Sequence, residues 1–194
     1  KNCINILDVK FHFKKTFNKI TNNSSKYIEN CFDEGLRLIK IGKTKILING
    51  PVSKKHFLKK KFLGITEYIA KKSGKKSQEV MLIYNKKLSV SPITTHLPLQ
   101  DVKKNITTKK IIKNVITINS FFKDKLKKKP KFAITGLNPH CETNKNFSEE
   151  EKIIVPAIKK LKKKNIHING PFAADTLFLK KNINKFNVII GMYH

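Results

Sequence analysis

Apolar residues recur along the chain in short bursts separated by lysine and asparagine, and the period of each burst predicts an element. The stretch 9–40 reads as helix with a break at Thr21-Asn22-Asn23-Ser24-Ser25; beyond it Tyr27, Ile28, Cys31, Leu36 and Ile39 recur at roughly helical spacing. Lys45-Ile46-Leu47-Ile48-Asn49 predicts a short buried strand ended by Gly50-Pro51. Helical segments over 53–60 and 66–73 follow, then a strand pair, Val80-Met81-Leu82-Ile83-Tyr84 and Leu88-Ser89-Val90-Ser91-Pro92-Ile93. The segment 106–126 predicts a long amphipathic helix, and Phe132-Ala133-Ile134-Thr135 a strand. Ser148-Glu149-Glu150-Glu151 opens the next helix, with Ser148 as N-cap and Glu151 at the capping-box position; Pro156 should kink that helix or sit in its first turns. Strand Ile166-His167-Ile168, a short helix over 174–181 and strand Asn187-Val188-Ile189-Ile190 complete the pattern. Strands alternating with helices predict an α/β protein whose mostly parallel sheet is covered on both faces.

Composition narrows the class. With 194 residues and 22.3 kDa the chain can bury a real core, and its hydrophobic fraction of 39% is too high for a disordered chain. No apolar run approaches the roughly 18–20 residues a membrane span needs. The start, Lys1 to Asp8, lacks the apolar core of a signal peptide, so a cytoplasmic location is expected. Cys3, Cys31 and Cys141 are odd in number and widely spaced, which fits reduced thiols better than a disulfide framework or a zinc finger. The formal charge of +29 raises a nucleic-acid-binding module as a reading from another class, but Arg37 is the sole arginine. Arginine is the residue that reads phosphate and guanine bidentately, so the excess lysine reads as a solvated, composition-biased surface. The run Val188 to His194 is a strand entering a turn, and the expectation is a central piece of a longer chain.

The candidate chemistry lies at strand ends. His96 follows the run 88–93, His140 follows 132–135, and His194 follows 187–190. Ligands of an open α/β sheet bind beyond the carboxyl ends of its strands, so three imidazoles there could converge on one divalent ion with an open position for substrate. Each histidine could instead satisfy a local turn. His12 and His167 read as structural, and His56 lies on the helix after strand 45–49. Lys54 follows the turn at Gly50-Pro51, which could bring it and backbone amides to an anion. Asp175, after Gly170-Pro171-Phe172-Ala173-Ala174, could cap a helix, serve the site, or do both. Asp101 reads as a cap.

These same segments resemble the 4-hydroxythreonine-4-phosphate dehydrogenase family of vitamin B6 (pyridoxal phosphate) biosynthesis. The matching pieces, in order, are Asn49 to Lys54, Gly64 to Tyr68, Thr94 to Val102, Gly136 to His140, Gly170 to Phe178, and Met192 to His194. The resemblance implies a two-lobed α/β/α architecture akin to isocitrate and isopropylmalate dehydrogenases, with residues 1–194 the central part of a single dehydrogenase-type chain. It implies NAD- or NADP-dependent oxidation of a phosphorylated small-molecule substrate, 4-phosphooxy-L-threonine. The 3-keto acid so formed loses carbon dioxide to give 3-amino-2-oxopropyl phosphate. It further implies a divalent metal (zinc, magnesium or cobalt) held by His96, His140 and His194 at a homodimer interface, with Thr66 contacting substrate. Lys54 and Asp175 would then be catalytic, in proton transfer or substrate orientation, and neither nucleic acid nor membrane would be a partner. The chain departs from the family pattern at Ile65, where histidine is common, at Gln100, where arginine is common, and at Cys141-Glu142-Thr143. Ile65 keeps open a sister dehydrogenase acting on another phosphorylated hydroxy acid.

Overall fold

A computed structural model describes residues 3–17, 19–59, 61–75, 78–141 and 148–194, and the chain divides into two units, Lys1–Glu79 and Val80–His194. In the first unit, helix α1 (Ser25–Lys40) follows a 3₁₀ turn at Asn22–Ser24 whose entry Thr21 caps by accepting from the Asn23 amide. A wide, π-type turn (Lys54–Leu58) and helix α2 (Ile65–Lys72) complete the packed part. Its core is aromatic: Phe32, Phe57 and Tyr68 stand 4.9–5.9 Å apart between ring centroids, and Phe62 meets Tyr68 edge-on at 5.4 Å. Such pairs add about 0.5–1.5 kcal/mol each beyond the area they bury. Lys72 ties α2 to α1 through Glu29 at 2.8 Å and Asp33 at 3.0 Å.

Two expectations for this unit do not hold. Of the helix expected from residue 9 to the break at 21–25, the described residues 9–17, 19 and 20 are irregular, and Phe13 and Ile20 are 62% and 65% exposed. Phenylalanine and the β-branched Val9, Thr16 and Ile20 are modest helix formers, so the segment needs a packed face to hold a helix, and the ring contacts of Phe11 are stacks on Tyr27 at 4.7 Å and on Phe13 at 6.0 Å. The segment 45–49 is not a strand; Ile46 and Ile48 are 71% and 89% exposed, while Leu47 packs into the first unit's core. A strand needs a ladder partner, and the described residues of this unit contain none.

The second unit holds strand β1 (Ser89–Thr94), helices α3 (Leu99–Asn105) and α4 (Thr108–Leu126), and strand β2 (Phe132–Thr135). A π-type turn (Glu150–Ile154), helix α5 (Val155–Lys162), strand β3 (Ile168–Phe172), helices α6 (Ala174–Leu177) and α7 (Lys180–Ile183), and strand β4 (Val188–Tyr193) follow. The strands form one sheet in the order β1-β4-β2-β3, every pair parallel. Alternate residues face opposite sides of a strand. Thus Val188, Ile190 and Met192 join Ile111, Val115 and Ile118 of α4 and Ala157, Ile158 and Leu161 of α5 in the main core. Ile189 and Ala133 face the other way, onto Leu177, Ile183 and Phe186. The unit is an α/β/α layer structure, as the alternation of elements predicts.

Local differences have local causes. The expected strand 80–84 shrinks to a single antiparallel bridge, with Ile83 and Val90 exchanging hydrogen bonds of 2.8 and 3.0 Å. The next step of that ladder would need an N–H at Pro92, which has none; the Met81 carbonyl instead accepts from Ser91 Oγ at 2.6 Å. The expected helix 106–126 begins at its Thr107 cap, and α3 precedes it as a separate element. Ser148 Oγ accepts from the Glu151 amide at 3.1 Å, as a cap should. Pro156 lies in the first turn of α5, and the π-type turn just before it absorbs the missing N–H. Strand β3 starts two residues later than expected and runs to Phe172, and the helix expected over 174–181 splits at Phe178-Leu179.

Candidate metal and active site

The sheet order settles what arrives at the carboxyl edge. Reading across β1, β4, β2 and β3, the residues delivered beyond the strand ends are His96, His194, His140 and Asp175. Neighbours in that row meet as pairs. The rings of His96 and His194 lie 6.1 Å apart between centroids, and His140 Nδ1 lies 3.4 Å from Asp175 Oδ2. All four side chains are exposed at the edge, open to a ligand.

Each pair has its own support. Thr94 is two residues before His96, and Met192 is two before His194. The buried Thr94 hydroxyl donates to the Met192 carbonyl at 2.9 Å, clasping the two strand ends together. His96 itself takes a left-handed backbone, φ 54°, as the chain leaves β1. The turn carrying His140 is closed by the Cys141 amide donating to the Asn138 carbonyl at 3.2 Å, and is held from outside by Glu150 and Glu149. Glu149 also pairs with Lys103 of α3 at 2.8 Å, and that ammonium holds its carboxyl below the usual carboxylate range. Burial pushes the Cys141 thiol up, which makes it less thiolate-like, not more. Asp175 is the second residue of α6 and no side-chain cap is formed there, so its carboxylate is available to His140.

The donor set suits a divalent ion in kind: three imidazoles from three adjacent strand ends, with a carboxylate beside them. Among the described residues, no group of three or more His, Cys, Asp or Glu is gathered tightly enough within this chain to hold one. Lys54 and Thr66 belong to the first unit. Lys54 opens its π-type turn and Thr66 is the second residue of α2, both exposed. Ile65 packs against the aromatic core there. His56 serves its own turn, with Nδ1 2.8 Å from Ser53 Oγ and its carbonyl accepting from Ser25 Oγ.

Four residues of the edge escape a reading from sequence alone: Thr94, Asn138, Glu149 and Glu150. The triplet Glu149-Glu150-Glu151 reads as the acidic start of a helix, and nothing in its spacing says that two of the three turn back onto the His140 loop. Cys141 lies next to that loop, and Glu142 and Thr143 lie outside the described residues.

The parallel α/β/α sheet is shared with solved dehydrogenases of the isocitrate and isopropylmalate dehydrogenase fold class. The chain superposes on 4-hydroxythreonine-4-phosphate dehydrogenase from Klebsiella pneumoniae with a TM-score of 0.78 at 23% identity, over 91% of this chain and 55% of that one. The family model described as pyridoxal phosphate biosynthetic protein PdxA matches residues 1–194, and the chain belongs to that family. It is 40% identical over 195 residues to 4-hydroxythreonine-4-phosphate dehydrogenase of Sulfurihydrogenibium sp. (strain YO3AOP1), covering 98% of this chain and 58% of that protein. It is 28% identical over 175 residues to a putative D-threonate 4-phosphate dehydrogenase of Bradyrhizobium diazoefficiens, covering 89% of this chain and 50% of the relative. The chain thus spans about half the length of the curated relatives it matches.

Proposed function

We propose that the full-length protein oxidises the secondary alcohol of 4-phosphooxy-L-threonine with NAD or NADP, in vitamin B6 biosynthesis. The nicotinamide, when bound, would accept the hydride and a base the hydroxyl proton; the 3-keto acid so formed would lose carbon dioxide to give 3-amino-2-oxopropyl phosphate. The observation that carries the reading is the row His96, His194, His140, Asp175 along one sheet edge of a chain in this family. His96, His140 and His194 would hold a divalent ion, zinc, magnesium or cobalt, with a homodimer partner completing the site. When bound, such an ion lowers the pKa of a coordinated hydroxyl and polarises a carbonyl.

The residues of the chain do the rest. Asp175, against His140, would fix the imidazole's orientation by accepting its ring N–H, as carboxylates beside metal-binding histidines commonly do, and is assigned to proton transfer or substrate orientation at the site. Lys54 is assigned to proton transfer or substrate orientation and Thr66 to substrate contact. Ile65 cannot hydrogen-bond substrate and is engaged in packing, so a sister activity on another phosphorylated hydroxy acid is the second reading, favoured by that residue. The test is turnover by the full-length protein, followed by reduced-nicotinamide absorbance, with 4-phosphooxy-L-threonine and D-threonate 4-phosphate offered separately. Turnover of the first substrate with loss on His140→Ala is the expected result. Turnover of the second alone would select the sister activity, and turnover of neither would sink both.

A further inference from the structure

Glu150 is 2% exposed, a depth at which a carboxylate ordinarily has a cationic partner. Its partners here are amides. Oε1 accepts from the backbone N–H of Leu137 at 2.8 Å and of Asn138 at 2.9 Å, and Oε2 accepts from Asn138 Nδ2 at 2.9 Å. Charge-assisted bonds of this kind are shorter and stronger than neutral ones. The same Asn138 amide reaches Glu149 Oε2 at 3.3 Å. Helix capping does not explain the arrangement, because Ser148 Oγ already takes the Glu151 amide. The carboxylate is also well anchored. It opens the turn that leads into α5, whose Ala157 and Leu161 are fully buried against the sheet. Gly136 leaves room for it: a Cβ there would lie 2.9 Å from Oε1.

We propose that Glu150 is the positioning residue for His140. By gathering the amides of the 137–138 turn, it fixes the direction in which the chain leaves β2 and so where the imidazole stands at the sheet edge. The inference rests on the reading of His140 as a metal ligand. It assigns to α5 a part in the site that its own residues do not touch.

The test uses the full-length protein and two independent readouts. The first, in metal-free protein, is amide hydrogen exchange at Leu137 and Asn138 compared with Ile134 and Ile190 in the sheet. The second is affinity for cobalt(II) with its visible absorption band, which reports ligand geometry. In Glu150→Ala the two turn amides should exchange faster while the sheet amides hold, and cobalt affinity should fall by ~10–100-fold with an altered band. Glu150→Gln keeps a carbonyl oxygen for both backbone amides and should restore most of both. Should Glu150→Ala fail to fold, Glu150→Asp, which keeps the charge but is one methylene short, carries the same two measurements. Faster turn exchange with the parent's cobalt affinity and band would overturn the proposal, leaving Glu150 a stabiliser only. Unchanged exchange would overturn it as well. If the parent itself binds no cobalt, the metal reading of His140 fails, and exchange alone decides whether Glu150 sets the turn.

Discussion

At the scale of single residues, the edge depends on a few close approaches that admit little substitution. Gly136 is one, because a Cβ there would meet both the Glu150 carboxylate and the Cys141 sulfur. Gly136→Ala should therefore destabilise the second unit by about 1–3 kcal/mol, as overpacking of a tight site does, and loosen the His140 turn. A urea unfolding midpoint indistinguishable from the parent's would show that the turn has room to give. Thr94 is the other. Its hydroxyl clasps β1 to β4 two residues before each of His96 and His194. Thr94→Val keeps the shape and removes the donor, at a cost of about 1 kcal/mol for a buried neutral bond. If the clasp sets the spacing of the two rings, the same variant should weaken cobalt binding beyond what that loss of stability explains. A stability loss with unaltered cobalt affinity would confine Thr94 to holding the sheet.

At the scale of elements, the His140 turn is linked to the segment after His96 by the pair Lys103–Glu149, which joins α3 to the start of the α5 region. The Glu149 carboxyl is held below its ordinary value, chiefly by that ammonium. Its folded pKa is thus lower than its unfolded one, so the stability it contributes is fully present above the unfolded carboxylate value. That share is lost as pH falls through the folded value. Lys103→Met should lower Tm at neutral pH and low salt, and the gap from the parent should close at acid pH; a gap that persists in acid would mean Lys103 acts through packing. The same elements show what was legible beforehand. Helices α1 and α4, strands β1, β2 and β4, and the three histidines at strand ends all follow from local periodicity and position. Strand 80–84 was not legible because its ladder fails at Pro92, on a different segment. Strand 45–49 was not because a strand is defined by its partner, and the described residues of its unit contain none. Glu150 was hidden for a related reason: a buried acid that folds back across a gap of about a dozen residues leaves no periodic trace.

At the scale of the whole molecule, the parallel order β1-β4-β2-β3 sets which ligands travel together, and this bears on how a dimer would assemble its metal site. His96 and His194 come from adjacent strands clasped by Thr94, with their rings 6.1 Å apart, whereas His140 faces Asp175 on the far side of β4. If the proposed ion is shared between subunits, His96 and His194 should come from one of them and His140 from the other. Two alanine variants can complement in a mixed dimer only when the ligands they lack are supplied by different subunits, since one of the two composite sites is then intact. Heterodimers of full-length His140→Ala with either His96→Ala or His194→Ala should therefore recover half the parent's metal. Heterodimers of His96→Ala with His194→Ala should recover none. Failure of all three pairings in folded heterodimers would place the three ligands in a single subunit and end the shared-site reading. Recovery in the His96–His194 pairing would mean that the neighbouring rings serve different ions, and that adjacency along the sheet edge does not decide which histidines act together.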